Sequence, residues 1–442
     1  LRIYVMGGNE NGELGIGGTD GEDVITPRVV QGLVGKKVRM IAVGGMHCAA
    51  LVDGEEAKEN GIWTWGVNDL GALGRDTTWD GGMVDMDKDG DADMNSIGED
   101  SDLNPLESKP GRVDFTGTGV DTRRIRQVVA GDSGTWIVTF DGDVYGWGSM
   151  RSNEGKELFA GNVRIQRKPT LISLPEKVTK LAAGSNHVVA LTCSGGVYTW
   201  GFGYEQGQLG RKVMERNGKQ FFGAFTPRKL GLRHIKDVFS GSDHSFAIAE
   251  DGAVYGWGLN NFGQTGVVAS KNAGEDSACV MVPTKIKCSA WNKTRRVISI
   301  APGGKHSLAL TSDGECYAWG QLDGFALGFK LEELESDDNN VVRDYRGNPR
   351  ILKEPTRVPG LPTNLRCAAT GGSHSIAVTN EGRVYSWGFN ISHQTGHAGY
   401  DDIETPRMIS RKSVVNKVFV WADAGGHFTV LAEEAPDVMV SE

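Results

Sequence analysis

The sequence predicts an all-β fold: a seven-bladed β-propeller closed by pairing of its N-terminal strand with the C-terminal blade. Three observations predict it. One hairpin pattern returns along the whole chain, a Trp-Gly pair ends it at a spacing of about 50 to 80 residues, and each chain end holds half of one repeat.

The hairpin is plainest from Ala130 to Gly155, AGDSGTWIVTFDGDVYGWGSMRSNEG, with a strand over Thr135 to Phe140, a turn at Asp141-Gly142 and a second strand ending in Trp147-Gly148. Asp-Gly between β-branched and aromatic runs predicts a type I′ turn with both central residues at φ > 0. The pattern recurs at Val43 to Gly54, Ala183 to Gly201, Ser240 to Gly258, Pro302 to Gly320 and Thr370 to Gly388. Its Trp-Gly pairs begin at Trp65, Trp147, Trp200, Trp257, Trp319 and Trp387, and Val5-Met6-Gly7 fills the same slot, giving seven repeats. AGGHFTV at Ala424 to Val430 has no Trp-Gly strand after it, whereas Arg2 to Gly7 has no hairpin before it. Those ends complete one blade, and the closure leaves no sheet edge open between first and last blades.

Between hairpins, NENGELG (Asn9 to Gly15), NDLGALG (Asn68 to Gly74), YEQGQLG (Tyr204 to Gly210) and NNFGQTG (Asn260 to Gly266) each follow the Trp-Gly slot, so they share one rim. Pro27, Pro169, Pro227, Pro283, Pro355 and Pro406 then open the outer part of each repeat, where proline starts an edge strand without losing a ladder bond. The 63 glycines match that many tight turns. The expected organisation is a single propeller over residues 1–442, interrupted by an acidic insertion at 77–109 and a basic, aromatic one at 211–227.

Between Asp80 and Glu107 ten acids face the single base Lys88, which accounts for the whole net charge of −9. Overall acidity therefore says nothing against basic patches elsewhere. Asp85-Met-Asp87-Lys-Asp89-Gly90 matches the start of a calcium loop, yet Ser96 stands where a bidentate Glu is needed, so a solvated acidic loop is expected and no metal site. No apolar run approaches ~18 residues, so no membrane partner is expected. The six cysteines lie far apart with no Cys-x-x-Cys, which points to reduced thiols in an intracellular compartment.

The chain lacks Gly-x-x-x-x-Gly-Lys-Ser/Thr, His-Glu-x-x-His and Gly-x-Ser-x-Gly, the usual signatures of nucleotide hydrolysis, zinc proteolysis and hydrolase chemistry. His47, His187, His244, His306, His374 and His427 recur at one repeat position and read as structural hydrogen-bonding groups. An enzyme of covalent chemistry, or a cofactor, is not expected. The informative places are those where a repeat breaks its own rule. Gly134 stands where other hairpins carry His, Asp132 where they carry Gly or Ser, and SMRSNEGKELF (Ser149 to Phe159) replaces the glycine turn after Trp147-Gly148.

The repeat AGxxHxxAL…DGxVYxWG with its trailing GQLG resembles the regulator of chromosome condensation family, propeller exchange factors for the small GTPase Ran. The resemblance covers all seven repeats and is sharpened by WGSMRSNEG (Trp147 to Gly155), LGRKVMER (Leu209 to Arg216) and NDLGALGRDT before an acidic insertion, as in the lower-eukaryote members. It implies a nuclear protein, acting as a monomer, that promotes GDP release. Met150, Arg151, Ser152, Asn153, Glu154, Gly155, Lys156 and Glu157 match a β-wedge that pushes into the GTPase. Asp132, Arg211 and Asn261 match residues on the face that binds Ran. Asn186 replaces a usual Asp there, and Lys305, just before His306, replaces a frequent His, so these three join the site as points of tuning. The family also binds chromatin, through a basic N-terminal tail, which would lie ahead of the closing strand where this sequence starts, and through a loop matching Lys212 to Phe225. That loop puts Arg216 and Lys219 against the nucleosome acidic patch. Two other readings are a non-catalytic interaction module, scaffold or ubiquitin-ligase substrate-binding part, and an enzyme using the central channel.

Overall fold

The second strand of each blade, the first of its hairpin, reads as an unbroken run of mostly apolar residues because both of its faces are covered by neighbouring blades. Gly134–Thr139, His187–Thr192, His244–Ala249, His306–Thr311 and His374–Thr379 are buried along their whole length. The computed structural model describes residues 1–18, 23–54, 59–80, 103–152, 154–203, 205–213, 223–268, 278–334 and 339–434. Within them, seven antiparallel sheets are arranged as the blades of a propeller. Blade 1 spans residues 37–112, blade 2 125–172, blade 3 178–229, blade 4 235–285, blade 5 297–357 and blade 6 365–408. Blade 7 joins Phe419–Ala424 and Phe428–Glu433 to Arg2–Gly7 and Val24–Val29. The closing pair has Tyr4 opposite Leu431, and the Tyr4 hydroxyl donates to Glu433 Oε2 at 2.8 Å.

The glycine of each Trp-Gly pair is fixed by the turn it starts. Gly7, Gly66, Gly148, Gly201, Gly258, Gly320 and Gly388 all have φ between 93° and 124°. A Cβ at Gly148 would come within 2.3 Å of the Ser133 carbonyl oxygen, so no other residue fits.

Three expectations are corrected. The Asp141-Gly142 turn is not type I′, since Gly142 has φ 80° while Asp141 is absent from the positive-φ residues. Gly142 N–H donates to Thr139 O at 2.9 Å and closes a longer loop with one left-handed residue. The prolines sit inside or just before the outer strands rather than opening all of them; Pro27 lies within Val24–Val29 and Pro406 within Ile403–Met408. In both strands the ladder shifts register, which spares the missing N–H. Finally, the repeat histidine's place in blade 7 belongs to Phe428, and His427 lies one residue earlier on the exposed rim.

Two devices join the blades. At one end of the channel the hairpin loops form a closed circle of backbone hydrogen bonds. It runs Gly45 N to Gly131 O (3.3 Å), Asp132 N to Ser185 O (3.1 Å), Ser185 N to Ser242 O (3.0 Å) and Ser242 N to Gly303 O (3.1 Å). It continues Gly304 N to Gly371 O (3.3 Å), Gly372 N to Gly425 O (3.2 Å) and Gly426 N back to Gly45 O (3.4 Å). Beneath it lies a polar joint. His306 Nε2 bonds Ser375 Oγ of the next blade at 3.0 Å, and Ser375 donates to Ala326 O at 2.8 Å. That carbonyl also accepts from Trp387 Nε1 at 2.8 Å. The same hand-over links His47 to Thr135, His187 to Ser245, His244 to Ser307 and His374 to Thr429. In each case the imidazole Nε2 finds a hydroxyl in the next blade, which offsets part of the cost of burying the ring, while Nδ1 of His47, His244 and His374 has no partner among the described residues.

Burial holds His47 and His306 at pKa about 4 and His187, His244 and His374 at about 3, against 6.5 in open solvent. Below pH 6.5 the unfolded chain therefore binds more protons than the folded one, and stability falls with pH down to about 3. His397, lowered to about 4, adds to these five, while Asp423, raised by burial to about 7, and Asp23, Asp132 and Asp243, raised by desolvation, act in the opposite sense. We expect acid titration to show a steep loss of stability between about pH 6 and 4. His244→Ala should cost about 2–4 kcal/mol in chemical denaturation, from a lost buried bond and a cavity; a loss under about 0.5 kcal/mol would refute the joint.

Candidate functional site

The polar joint is lost entirely between blades 2 and 3. Gly134 stands at the histidine position, Val188 at the hydroxyl position, and the hairpin after Gly148 replaces the glycine turn that would supply the carbonyl. Trp136 fills the space instead; a Cβ at Gly134 would lie 2.5 Å from its ring. Trp136, Met150, Phe159, Val188, Trp200 and Phe202 form one apolar cluster there. Blade 7 also lacks the histidine, but Trp65 Nε1 of blade 1 still donates to Glu13 O at 2.9 Å. The joint between blades 2 and 3 is thus rebuilt from apolar side chains, and a projecting hairpin grows from it.

That hairpin is a two-stranded sheet of its own, Met150–Arg151 against Glu157–Leu158, in the register Met150 to Leu158 and Arg151 to Glu157. Its inner end is anchored, because Met150 is fully buried in the cluster. Its outer end is solvent-facing: Arg151, Glu154, Gly155 and Lys156 are exposed. Ser152 N–H donates to Lys156 O at 2.8 Å and Gly155 N–H to Ser152 O at 2.9 Å, which closes the tip. Glu157 bridges Arg164 at 2.8 Å and Arg151 at 3.2 Å, and those two guanidiniums, Arg164 first, hold its carboxyl below the usual range. Asn153 lies outside the described residues.

The remaining candidates separate by position. Asp132 belongs to the circle of loops at the channel mouth and is exposed, yet the surrounding rim desolvates its carboxyl and raises its pKa. Asp243, two blades on, is raised by desolvation as well, and Gln208 Nε2 donates to it at 3.1 Å. Asp243 was absent from the sequence-derived set; its slot in the repeat, the one Asn186 fills in blade 3, was the available signal. Asn186 Oδ1 accepts the N–H of Arg151, so this side chain ties the hairpin to blade 3. An amide oxygen does that as well as a carboxylate oxygen.

Lys305 is exposed, its ammonium 4.8 Å over the Phe262 ring, with Asn261 in the same blade 4 turn. His306 is buried in its joint beneath Lys305. Arg211 is turned inward. Its Nη2 donates to the carbonyls of Thr199, Gly223, Ala224 and Thr226 at 3.2 to 3.3 Å, and burial lowers its pKa to about 10. Arg75, after the equivalent turn of blade 1, does the same with Thr64 O at 2.9 Å and Lys109 O at 3.5 Å. Both arginines clasp the bases of insertions. Arg216, Lys219 and the calcium-loop stretch Asp85 to Gly90 lie outside the described residues. The ends of the acidic insertion meet, with Thr77 Oγ1 donating to Glu107 at 2.6 Å and Asn104 Nδ2 to Thr77 O at 2.7 Å.

The central channel encloses about 610 Å³. Lys180 pairs with Asp237 of the adjacent blade and lies 4.2 Å over Phe239, which leaves Asp132 and Asp423 as the carboxylates lining the channel. No group of three metal-ligating side chains occurs among the described residues.

Known proteins share this propeller. The RCC1-like domain model matches residues 2–431. The chain belongs to that family. Guanine nucleotide exchange factor SRM1 of Saccharomyces cerevisiae is 36% identical over 439 residues, covering 97% of this chain and 86% of the relative. The regulator of chromosome condensation of Homo sapiens is 30% identical, covering 97% of this chain and 90% of its own length. The crystal structure of Prp20p from Saccharomyces cerevisiae, a protein described with its binding to Gsp1p and histones, matches with a TM-score of 0.84 at 33% identity, over 99% of this chain and 92% of that one.

For this RCC1-like propeller, the bond from Arg151 N–H to Asn186 gives a direct test. Asn186→Asp should leave amide exchange at Arg151 unchanged, and Asn186→Ala should speed it about tenfold, the loss of one hydrogen bond's worth of protection. Equal exchange in both variants would show that the bond does not hold the hairpin.

Proposed function

We propose that this chain is a guanine-nucleotide exchange factor for the small GTPase Ran, working in the nucleus in association with chromatin. The observation that carries the reading is the hairpin Met150 to Leu158, rooted in the one blade joint whose polar hand-over is wholly replaced by apolar packing. Its family membership and the names of its relatives support the same conclusion.

Exchange is a binding problem. A GTPase holds nucleotide through phosphate-loop amides, a Lys and Mg²⁺. A partner that binds the empty form better than the loaded form weakens nucleotide by the same factor. Each ~1.4 kcal/mol of that difference is worth about tenfold in release. The tip of the hairpin displaces the phosphate loop. Asp132 presents a carboxylate to the cationic groups that phosphate leaves behind, and its desolvated setting strengthens the attraction once water is excluded. Asn261 and Lys305 hold the GTPase at the other side of the mouth, with His306 positioning Lys305 from below. Arg211 acts indirectly, by fixing the base of the insertion from which Arg216 and Lys219 reach the nucleosome acidic patch. The exchange factor acts by binding alone, as one propeller over residues 1–442.

The test is release of a fluorescent GDP analogue from Ran with catalytic amounts of the chain. Release should accelerate at substoichiometric ratio, and replacing Met150 to Glu157 by a short glycine turn should abolish the acceleration. Asp132→Ala should slow release at least about tenfold, the loss of one partly buried charge interaction. A folded chain that accelerates nothing would make it a non-catalytic interaction module.

A further inference from the structure

Blade 5 carries a feature that the wedge and rim do not use. Its sheet has five strands where the other blades have four. The outer strand Pro349–Arg357 pairs with Cys316–Gln321, with Gln321 opposite Ile351, and then with Val341–Arg343, with Arg343 opposite Pro349. Gln321 directly follows Trp319-Gly320, the same end of the blade from which the wedge grows after Trp147-Gly148. Residues 344–348 therefore continue past the sheet on the wedge's side of the propeller.

The base of this hairpin is fixed and its tip is bare. Ile351 and Leu352 are fully buried, and Arg343 Nη2 donates to Leu334 O at 3.1 Å. Arg350 lies 5.2 Å over the face of Phe262, the ring that also carries Lys305 at 4.8 Å, so the hairpin is continuous with the channel-mouth rim. At the tip Asp344 accepts from Arg346 N at 2.8 Å, from Asn348 N at 2.9 Å and from Asn348 Nδ2 at 3.0 Å. Gly347, at φ 88°, closes the turn onto Asp344 O at 3.0 Å. That locked turn holds Tyr345 89% exposed, with the Arg346 guanidinium 5.1 Å over its ring. Tyrosine and arginine are the side chains that most often dominate interfaces, and a turn already fixed loses little entropy on docking. Asp344 is consumed within the turn, so the outward charge is that of Arg346.

We propose that this hairpin is a second arm that grips the same GTPase, Tyr345 entering an apolar hollow and Arg346 meeting a carboxylate beside it. The inference rests on the exchange reading. Blades 2 and 5 stand three apart in a ring of seven, close to opposite each other across the channel mouth. A partner seated on the wedge and crossing the mouth reaches the arm. The wedge weakens nucleotide, and the arm supplies affinity equal for the loaded and empty forms.

The experiment compares the full chain with a Y345A, R346A double variant in steady-state GDP release over a range of Ran concentrations. Both side chains project from the turn, so the thermal midpoint should be unchanged. KM should rise about tenfold with kcat within twofold, as expected when uniform binding is removed, and raising salt should change KM less in the variant. Calorimetry with nucleotide-free Ran should show affinity about tenfold weaker, a second readout independent of turnover. Wild-type acceleration with an unchanged KM in the variant overturns the arm alone. A wild-type chain that neither accelerates release nor binds nucleotide-free Ran overturns the exchange reading and the arm with it. Self-association of the wild type that the variant abolishes, with KM unchanged, reassigns the tip to a second copy of this chain and overturns the proposal.

Discussion

The bond from a buried histidine to the hydroxyl of the next blade is the constraint on which this structure depends. Burial of the ring is offset where its Nε2 bonds a hydroxyl that in turn donates to the carbonyl receiving an indole N–H, as in the His306, Ser375 and Trp387 joint, and that pairing fixes how one blade is rotated against the next. The circle of backbone bonds from Gly45 round to Gly426 repeats the constraint at the channel mouth. Blades so joined cannot easily shift, which makes the mouth a rigid platform. A device that binds a mobile partner in a strained form needs such a platform.

Against that regularity the boundary between blades 2 and 3 stands out chemically. The histidine at Gly134, the hydroxyl at Val188 and the carbonyl of the glycine turn are lost together, and the indole N–H of Trp136 is buried there without a partner among the described residues. Trp136 and Met150 close the gap by packing. The chain released from the turn becomes the wedge. Around the mouth the charge is divided: Asp132 and Asp243 stand on the loops of blades 2 and 4, Lys305 and Arg350 on blade 5.

Much of this was legible in the sequence because a propeller writes its rules seven times. Trp-Gly, the rim turns and the split ends gave the blade count and the closure, and the exception at Asp132, Gly134 and Ser149 to Phe159 marked the boundary that is rebuilt from apolar side chains. What escaped were matters of register and three-dimensional contact. Asp-Gly is common to several loop lengths, so the turn type was misread. AGGHFTV contains a histidine, so His427 was aligned where Phe428 stands, and only strand pairing with Arg2–Gly7 separates them. Arg211 reads as a surface cation by composition, whereas the carbonyls it clasps come from residues 12 to 15 positions later or within blade 3. The blade 5 hairpin was missed although VVRDYRGNPRIL carries a signal, β-branched and apolar runs about a polar Gly-Asn turn.

The central claim is that the rebuilt boundary between blades 2 and 3, and the mouth beside it, is where the partner binds. Hydrogen exchange of the chain alone and saturated with nucleotide-free Ran measures this directly. The account gives slowed exchange over Met150 to Leu158 and in the mouth loops at Gly131 to Gly134 and Gly241 to His244, with the turn at Asp141-Gly142 on the far end unchanged. Protection confined to that far end, with the Met150 to Leu158 amides exchanging as in the free chain, would contradict it.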